Sequence, residues 1–126
     1  MSSVALGLSL TVGSVRAADV IAHPAAKLSS DQIRDIYVGE MTAAGGVTLQ
    51  PLDNASAQDK FANGVLKLPI QKYQAIWTKK AFRDGLTAPA MKSSDAEVVE
   101  FVKRTPGAVG YIDGPVPAGV VSILKY

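Results

Sequence analysis

The sequence predicts an α/β domain, a mainly parallel sheet with helices on both faces. Three observations carry the prediction. Short β-prone runs alternate with amphipathic helical runs in the order β-α-β-α-α-(β)-α-β-β. The helical runs open on Ser-x-x-Gln or Ser-x-x-Glu signatures and stop at glycine or at Thr-Pro-Gly. The run "AVGYI" at 108–112 is apolar throughout and carries a glycine, as a buried strand does. Right-handed crossovers between parallel strands then place helices on both faces.

The chain has 126 residues, 48% hydrophobic and 19% charged, the balance of one ordinary globular domain. A chain of this size buries roughly two-thirds of its unfolded surface and needs no staples. It has no cysteine, which excludes disulfides, thiolate catalysis and cysteine-ligated metals together.

Residues 1–18 read as a signal peptide. "VALGLSLTVGSV" has the length of an apolar h-region, and "VRAAD" offers small residues for cleavage after Ala17 or Ala18. The n-region is atypical, since "MSS" carries no Lys or Arg. The folded domain is then residues 19–126, and the protein is exported to the periplasm. Removing residues 1–18 removes Arg16 and no acid, so 13 − 1 = 12 basic groups face 11 acidic ones. A net charge that small, with scattered basic residues, excludes a nucleic-acid partner.

"ADVIAHP" is a short strand closed by proline, with His23 at its end. A single histidine cannot build a multi-histidine metal site. "LSSDQIRDIYVGE" is a helix with Ser29 and Gln32 as a capping box, Leu28, Ile33, Ile36 and Tyr37 as its buried stripe, and Gly39 as its stop. "MTAAGGV" is a turn that needs the positive φ of Gly45 and Gly46. "VTLQPLD" is a strand whose Pro51 puts it at an edge or near the strand's end. Phe61, Val65 and Leu66 recur at helical spacing after it.

"LPIQKYQAIWTKKAFRDG" is the longest helix, with Pro69 in its first turn and Gly85 at its end. Ile70, Tyr73, Ile76, Trp77 and Ala81 form its apolar face. Tyr73 and Trp77 are expected in the core rather than as a stacking platform. Lys79, Lys80 and Arg83 fall in its last turns, where cations favour the negative helix end. "SSDAEVVEFVKRTPG" is a third capped helix, with Ser94 and Glu97 at its start and Val98, Val99 and Val102 on one face. "AVGYI", a "GPVPAG" turn and "VVSILKY" complete the sheet.

Three stretches together carry a family resemblance: "HPAAKLSSDQIRDIYVGE", "LQPLDNASAQDKFANGVLKLPIQKYQAIWTKKAFRDG" and "AEVVEFVKRTPGAVGYI". In that order they resemble the small substrate-binding-protein-like family related to the phosphate-binding protein of the phosphate ABC transporter. The match runs from about Val20 to Ile112. It implies a type 2 periplasmic-binding-protein fold, of which this length supplies one lobe. It also implies phosphate or another small oxyanion as ligand and an envelope membrane protein as possible partner.

The candidate site is the turn "PLDNASAQDKF". In the full-length binders this turn carries an aspartate and then Ser-Gly-Thr before a helix. The resemblance sets Asp53 on the aspartate and Ala55, Ser56 and Ala57 on the Ser-Gly-Thr run, so two hydroxyl donors are missing. The oxyanion site it implies is Asp53, Asn54, Ser56, Ala57 and Gln58, with N–H groups of Ala57 and Gln58 as donors. The residues themselves leave a second reading open, in which Ser56 and Asp59 simply cap the helix.

Two functions follow: a periplasmic solute-binding-like domain, or an interaction or sensor module of the cell envelope reusing the same fold. Catalysis has no constellation to carry it. The chain lacks cysteine, a second histidine, Gly-x-Ser-x-Gly and a P-loop, and it shows no cofactor motif. The carboxylate pairs Asp31/Asp35 and Glu97/Glu100 sit at the spacing of solvated helix faces.

Overall fold

The structure, a computed structural model, describes residues 17–126. The expected signal peptide lies outside the described residues except for Ala17 and Ala18.

Five strands form the main sheet in the order β5-β4-β6-β1-β7. They are β1 (Asp19–Ala22), β4 (Gln50–Asn54), β5 (Ala90–Lys92), β6 (Ala108–Ile112) and β7 (Val121–Lys125). β4 runs parallel to β5 and β6, while β1 runs antiparallel to β6 and β7. Four of the five strands therefore share one direction, and the reversed strand is the first in the chain. The ladder between β1 and β7 reaches one residue further back. Ala18 donates to Tyr126 O at 2.7 Å and accepts from Tyr126 N at 2.8 Å.

Strand alternation divides the core into two. Val20, Ala22, Val109 and Tyr111 face α1 (Ile33–Tyr37), α2 (Gln58–Phe61) and α3 (Ile70–Asp84). Ile21, Leu52, Ala108 and Ile112 face α4 (Asp95–Arg104) through Val98 and Val102. The strand glycine expected in β6 has a packing cause, because a Cβ on Gly110 would overlap Val98 Cγ1. α4 thus lies directly on β6.

The predicted caps form, with local differences. The side-chain oxygen of Gln32 accepts the Ser29 N–H at 2.9 Å, and a 3-10 turn at Ser30–Gln32 leads into α1. Gly39, at φ +81, follows α1 and leaves room for the Trp77 ring. Pro69 precedes α3, and Gly85 ends it in the left-handed conformation. Ser94 Oγ accepts the Glu97 N–H at 3.3 Å, whereas Glu97 reaches back to the N–H of Ser93.

Four details refine these expectations. Gly45-Gly46 closes a small hairpin of β2 (Ala43–Ala44) and β3 (Val47–Thr48), with both glycines at positive φ as a tight hairpin turn requires. Pro51 pairs with Val109 on one side, and pairing with β5 starts only at Leu52, so its missing N–H interrupts no ladder there. The helix after the candidate turn is one turn long and widens into a π-helical turn at Ala62–Leu66. Ala81 is exposed rather than part of the buried apolar face of α3.

Candidate functional site

Asp53 and Asn54 are the last residues of β4, and their alternation sends the two side chains to opposite faces. Asp53 points toward α3 and Asn54 toward α4. The five candidate residues therefore do not converge on one point.

Asp53 is 4% exposed. Tyr111 donates its hydroxyl to Asp53 Oδ1 at 2.7 Å, and Tyr73 donates to Oδ2 at 2.9 Å. The Gln58 side chain adds a third hydrogen bond. Among the described residues no lysine or arginine pairs with Asp53. Burial pushes the Asp53 carboxyl above the ordinary carboxylate range, and the three donors pull it only part of the way back. Burial first, and the Asp53 charge second, raise the Tyr73 and Tyr111 hydroxyls far above their usual value. Both tyrosines are protonated donors at any physiological pH.

Aromatic packing holds these donors in place. The Phe61 ring stacks on Tyr111 with centroids 3.9 Å apart and planes 2° from parallel. Tyr37 packs on both rings, and its hydroxyl lies 2.8 Å from Leu52 O and 3.1 Å from Val109 O, between β4 and β6. The Trp77 indole N–H donates to Tyr37 O at 2.9 Å. Tyr73 and Trp77 are core residues, as expected, and they also wall a cavity.

Asn54 is fully buried and uses its whole amide. Nδ2 donates to Asp95 Oδ1 at 2.8 Å and to Tyr111 O at 2.9 Å. Oδ1 accepts from the Ser56 hydroxyl at 2.7 Å and from the Ser56 N–H at 3.1 Å. Ser56 therefore does not cap α2. The capping position is Ala57, which has no side chain to offer, and the expected Ser56–Asp59 capping motif is absent because Asn54 takes the hydroxyl.

Backbone donors in the turn are engaged as well. Ala55 N–H bonds to Lys92 O at 2.8 Å and Ala57 N–H to Asn54 O at 3.0 Å. Of the two N–H groups expected to meet an anion, Ala57's is held internally. Gln58's belongs to the outward-pointing first turn of α2.

Two hollows flank the turn. The larger, about 400 Å³, lies between α3 and β5, with Asp53 as its one charged wall residue beside Gln58, Tyr73, Gln74, Trp77 and Thr78. The smaller, about 300 Å³, is bordered by Ser56, Ala57, Gln58, Asp59, Lys60 and Asp113. Lys60 bridges to Asp113 at 2.9 Å. Gln58 borders both hollows, and Asn54 borders neither. Sequence reasoning missed the two tyrosines that hold Asp53. For Tyr111 a signal was present, since a tyrosine in a strand buried on both faces must find a partner for its hydroxyl.

No family model matches the sequence, and no curated protein matches it. Solved structures do share its chain path. An ABC-type phosphate transport receptor from Vibrio cholerae matches with TM-score 0.52 at 17% identity, over 84% of this chain and 44% of the receptor. The chain takes the fold of one substrate-binding-protein lobe. A putative phosphate ABC transporter substrate-binding protein with bound phosphate, from Clostridium perfringens, gives 0.52 at 20% identity, over 84% and 43%. PstS from Borrelia burgdorferi gives 0.51 at 18% identity, over 76% and 40%. The chain spans less than half the length of each of these proteins.

Proposed function

We propose that this lobe is a solute-binding-like domain of the periplasm, with the turn after β4 as its ligand-facing element and a small oxyanion such as phosphate as its ligand. The observation that supports this reading is one of position. The turn leaves the carboxyl end of a parallel strand, where open α/β sheets hold ligands. The shared fold adds that one structural neighbour is described with bound phosphate. The apolar run in residues 1–18 supports export to the periplasm.

The local chemistry makes the site weak and selective for a protonated ion. Ser56 and the Ala55–Ala57 amides already have partners, and the Lys60 ammonium at the same hollow is paired with Asp113, leaving the first turn of α2 as the donor. A helix end contributes only about 0.3–1 kcal/mol to a bound anion, and each 1.4 kcal/mol is about tenfold in affinity. Asp59 and Asp113 border the same hollow and repel a dianion, whereas a monobasic oxyanion can donate its proton to one of them. Calorimetric titration with phosphate, sulfate and molybdate tests the reading. Millimolar binding of phosphate is expected, and an absence of heat and of thermal shift throughout the millimolar range rejects it.

A second reading, a docking module for an envelope membrane protein, is favoured by Phe82 of α3, which is 94% exposed. Recovery of a membrane partner by the native chain and its loss with Phe82→Ser would support docking.

A further inference from the structure

We propose that the hollow between α3 and β5 is a second binding site, separate from the hollow at Ser56–Lys60 although Gln58 borders both, and that it takes a small organic ammonium ion with an apolar body. The argument begins with Asp53. A carboxylate that is 4% exposed normally has a cation beside it, because neutral donors only partly replace the water it has lost. Here both oxygens are held by phenolic hydroxyls, at 2.7 and 2.9 Å. A carboxylate has roughly four lone-pair positions, and Tyr73, Tyr111 and Gln58 use three of them, so about one is left for a further donor. Burial, which raises the Asp53 carboxyl, is the same imbalance seen as a proton affinity. A cation placed in the hollow removes it.

The walls select what kind of cation. Asp53 is the one charged residue among them, so the hollow is electronegative and disfavours anions. Trp77 and Tyr73 contribute aromatic surface, which attracts an ammonium through the ring quadrupole and accommodates apolar carbon. Thr78 donates its hydroxyl to Gln74 O at 3.0 Å, which leaves the Thr78 oxygen as an acceptor at the rim. Pro89 and Met91 add apolar surface from the β5 side, with Met91 beside Asp53 in the β4–β5 register. An ammonium against Asp53 with its carbon body toward Met91 uses every part of this surface. The space, about 400 Å³, holds a ring-sized molecule.

Three probes of matched shape and different charge test the proposal on the mature chain: benzylamine, benzyl alcohol and benzoate. Binding is followed by the NMR signal of the Trp77 indole N–H and by calorimetry. Benzylamine is expected to shift the indole signal and to bind roughly tenfold or more tightly than benzyl alcohol, with benzoate producing no shift. Asp53→Asn should remove the preference for the amine. Ala81→Trp, at an exposed rim position that leaves the buried network intact, should abolish binding of all three even if the first variant fails to fold. Equal binding of amine and alcohol, stronger binding of benzoate, silence of the Trp77 signal with every probe, or unchanged amine binding in Ala81→Trp each overturns the proposal. Phosphate added in a separate titration reports on the oxyanion turn, so failure at one site is distinguishable from failure at the other.

Discussion

Tyr111 joins β6 to Asp53 of β4 through a hydroxyl that works twice, donating to Asp53 Oδ1 at 2.7 Å and accepting the Asn54 N–H at 3.0 Å. Tyr73 makes one bond to the same carboxylate from α3, at 2.9 Å. The two tyrosines should therefore differ when truncated. Tyr111→Phe removes a donor from Asp53 and strands a buried N–H, and an unsatisfied buried group costs about 1–3 kcal/mol. Tyr73→Phe removes one donor and strands no amide, at about 1 kcal/mol. Urea unfolding of both variants checks this, and a larger loss for Tyr73→Phe contradicts the assigned network.

The buried Asp53 also sets a pH dependence. Its folded ionisation lies above the unfolded value of 3.8, chiefly because of burial. The folded chain therefore holds a proton that the unfolded chain has released, and acidification favours folding through this group. The gain begins as pH falls through the raised value and is complete below the unfolded one. It amounts to about 1.4 kcal/mol for each pH unit separating the two. The groups facing Asp53 are Tyr73, Tyr111 and Gln58, none of which titrates in the acid range. Wild type compared with Asp53→Asn should gain stability between neutral pH and about pH 4. A relative loss on acidification would show that the folded chain binds the Asp53 proton more weakly than the unfolded chain.

Local chemistry made most of the fold legible before the structure. Ser29, Gln32, Ser94 and Gly85 act at their own helix ends, so reading them needed only neighbouring residues. The reversed direction of β1 was not legible, because nothing in "ADVIAHP" states which strands will flank it. The candidate turn was half legible. A strand running into a helix was visible, but Ser56 looks like a cap until Asn54 is seen to take its hydroxyl. The bonding of Asp53 was not legible, because Tyr111, which donates to it, lies 58 positions later in the chain. Short-range patterns specify caps, whereas long-range hydrogen bonds depend on the sheet order that brings β4 and β6 together.

Asn54 offers a sharp test of that sheet order. Its Nδ2 faces two acceptors, Asp95 Oδ1 and Tyr111 O. Asn54→Asp replaces the donor with a carboxylate oxygen aimed at both, in a fully buried position beside a second acid. An uncompensated buried charge of this kind costs about 3–5 kcal/mol. Ser56→Ala removes one hydrogen bond on an exposed residue, at about 0.5–1.5 kcal/mol. Thermal unfolding should rank the two variants clearly. Near-equal melting points would mean that the Asn54 amide does not hold β4, β6 and α4 together.

The start of the folded domain yields the last prediction. Ala18 is fully buried, and its two hydrogen bonds with Tyr126 begin the pairing of β1 with β7. Asp19, the next residue, is 3% exposed, and its carboxylate is held by the Ser122 hydroxyl at 2.6 Å and by Lys125 at 3.1 Å. A chain beginning at Asp19 loses both Ala18 bonds and brings its terminal ammonium into a strand that is otherwise buried. At about 0.5–1.5 kcal/mol for each hydrogen bond, it should be about 1–3 kcal/mol less stable than a chain beginning at Ala18. If residues 1–18 contain a cleaved leader, cleavage after Ala17 then gives the better-folded product. Urea unfolding of chains starting at Ala18 and at Asp19, with N-terminal sequencing of the exported protein, tests both statements. Equal stability of the two chains would show that the sheet does not depend on the Ala18–Tyr126 pair.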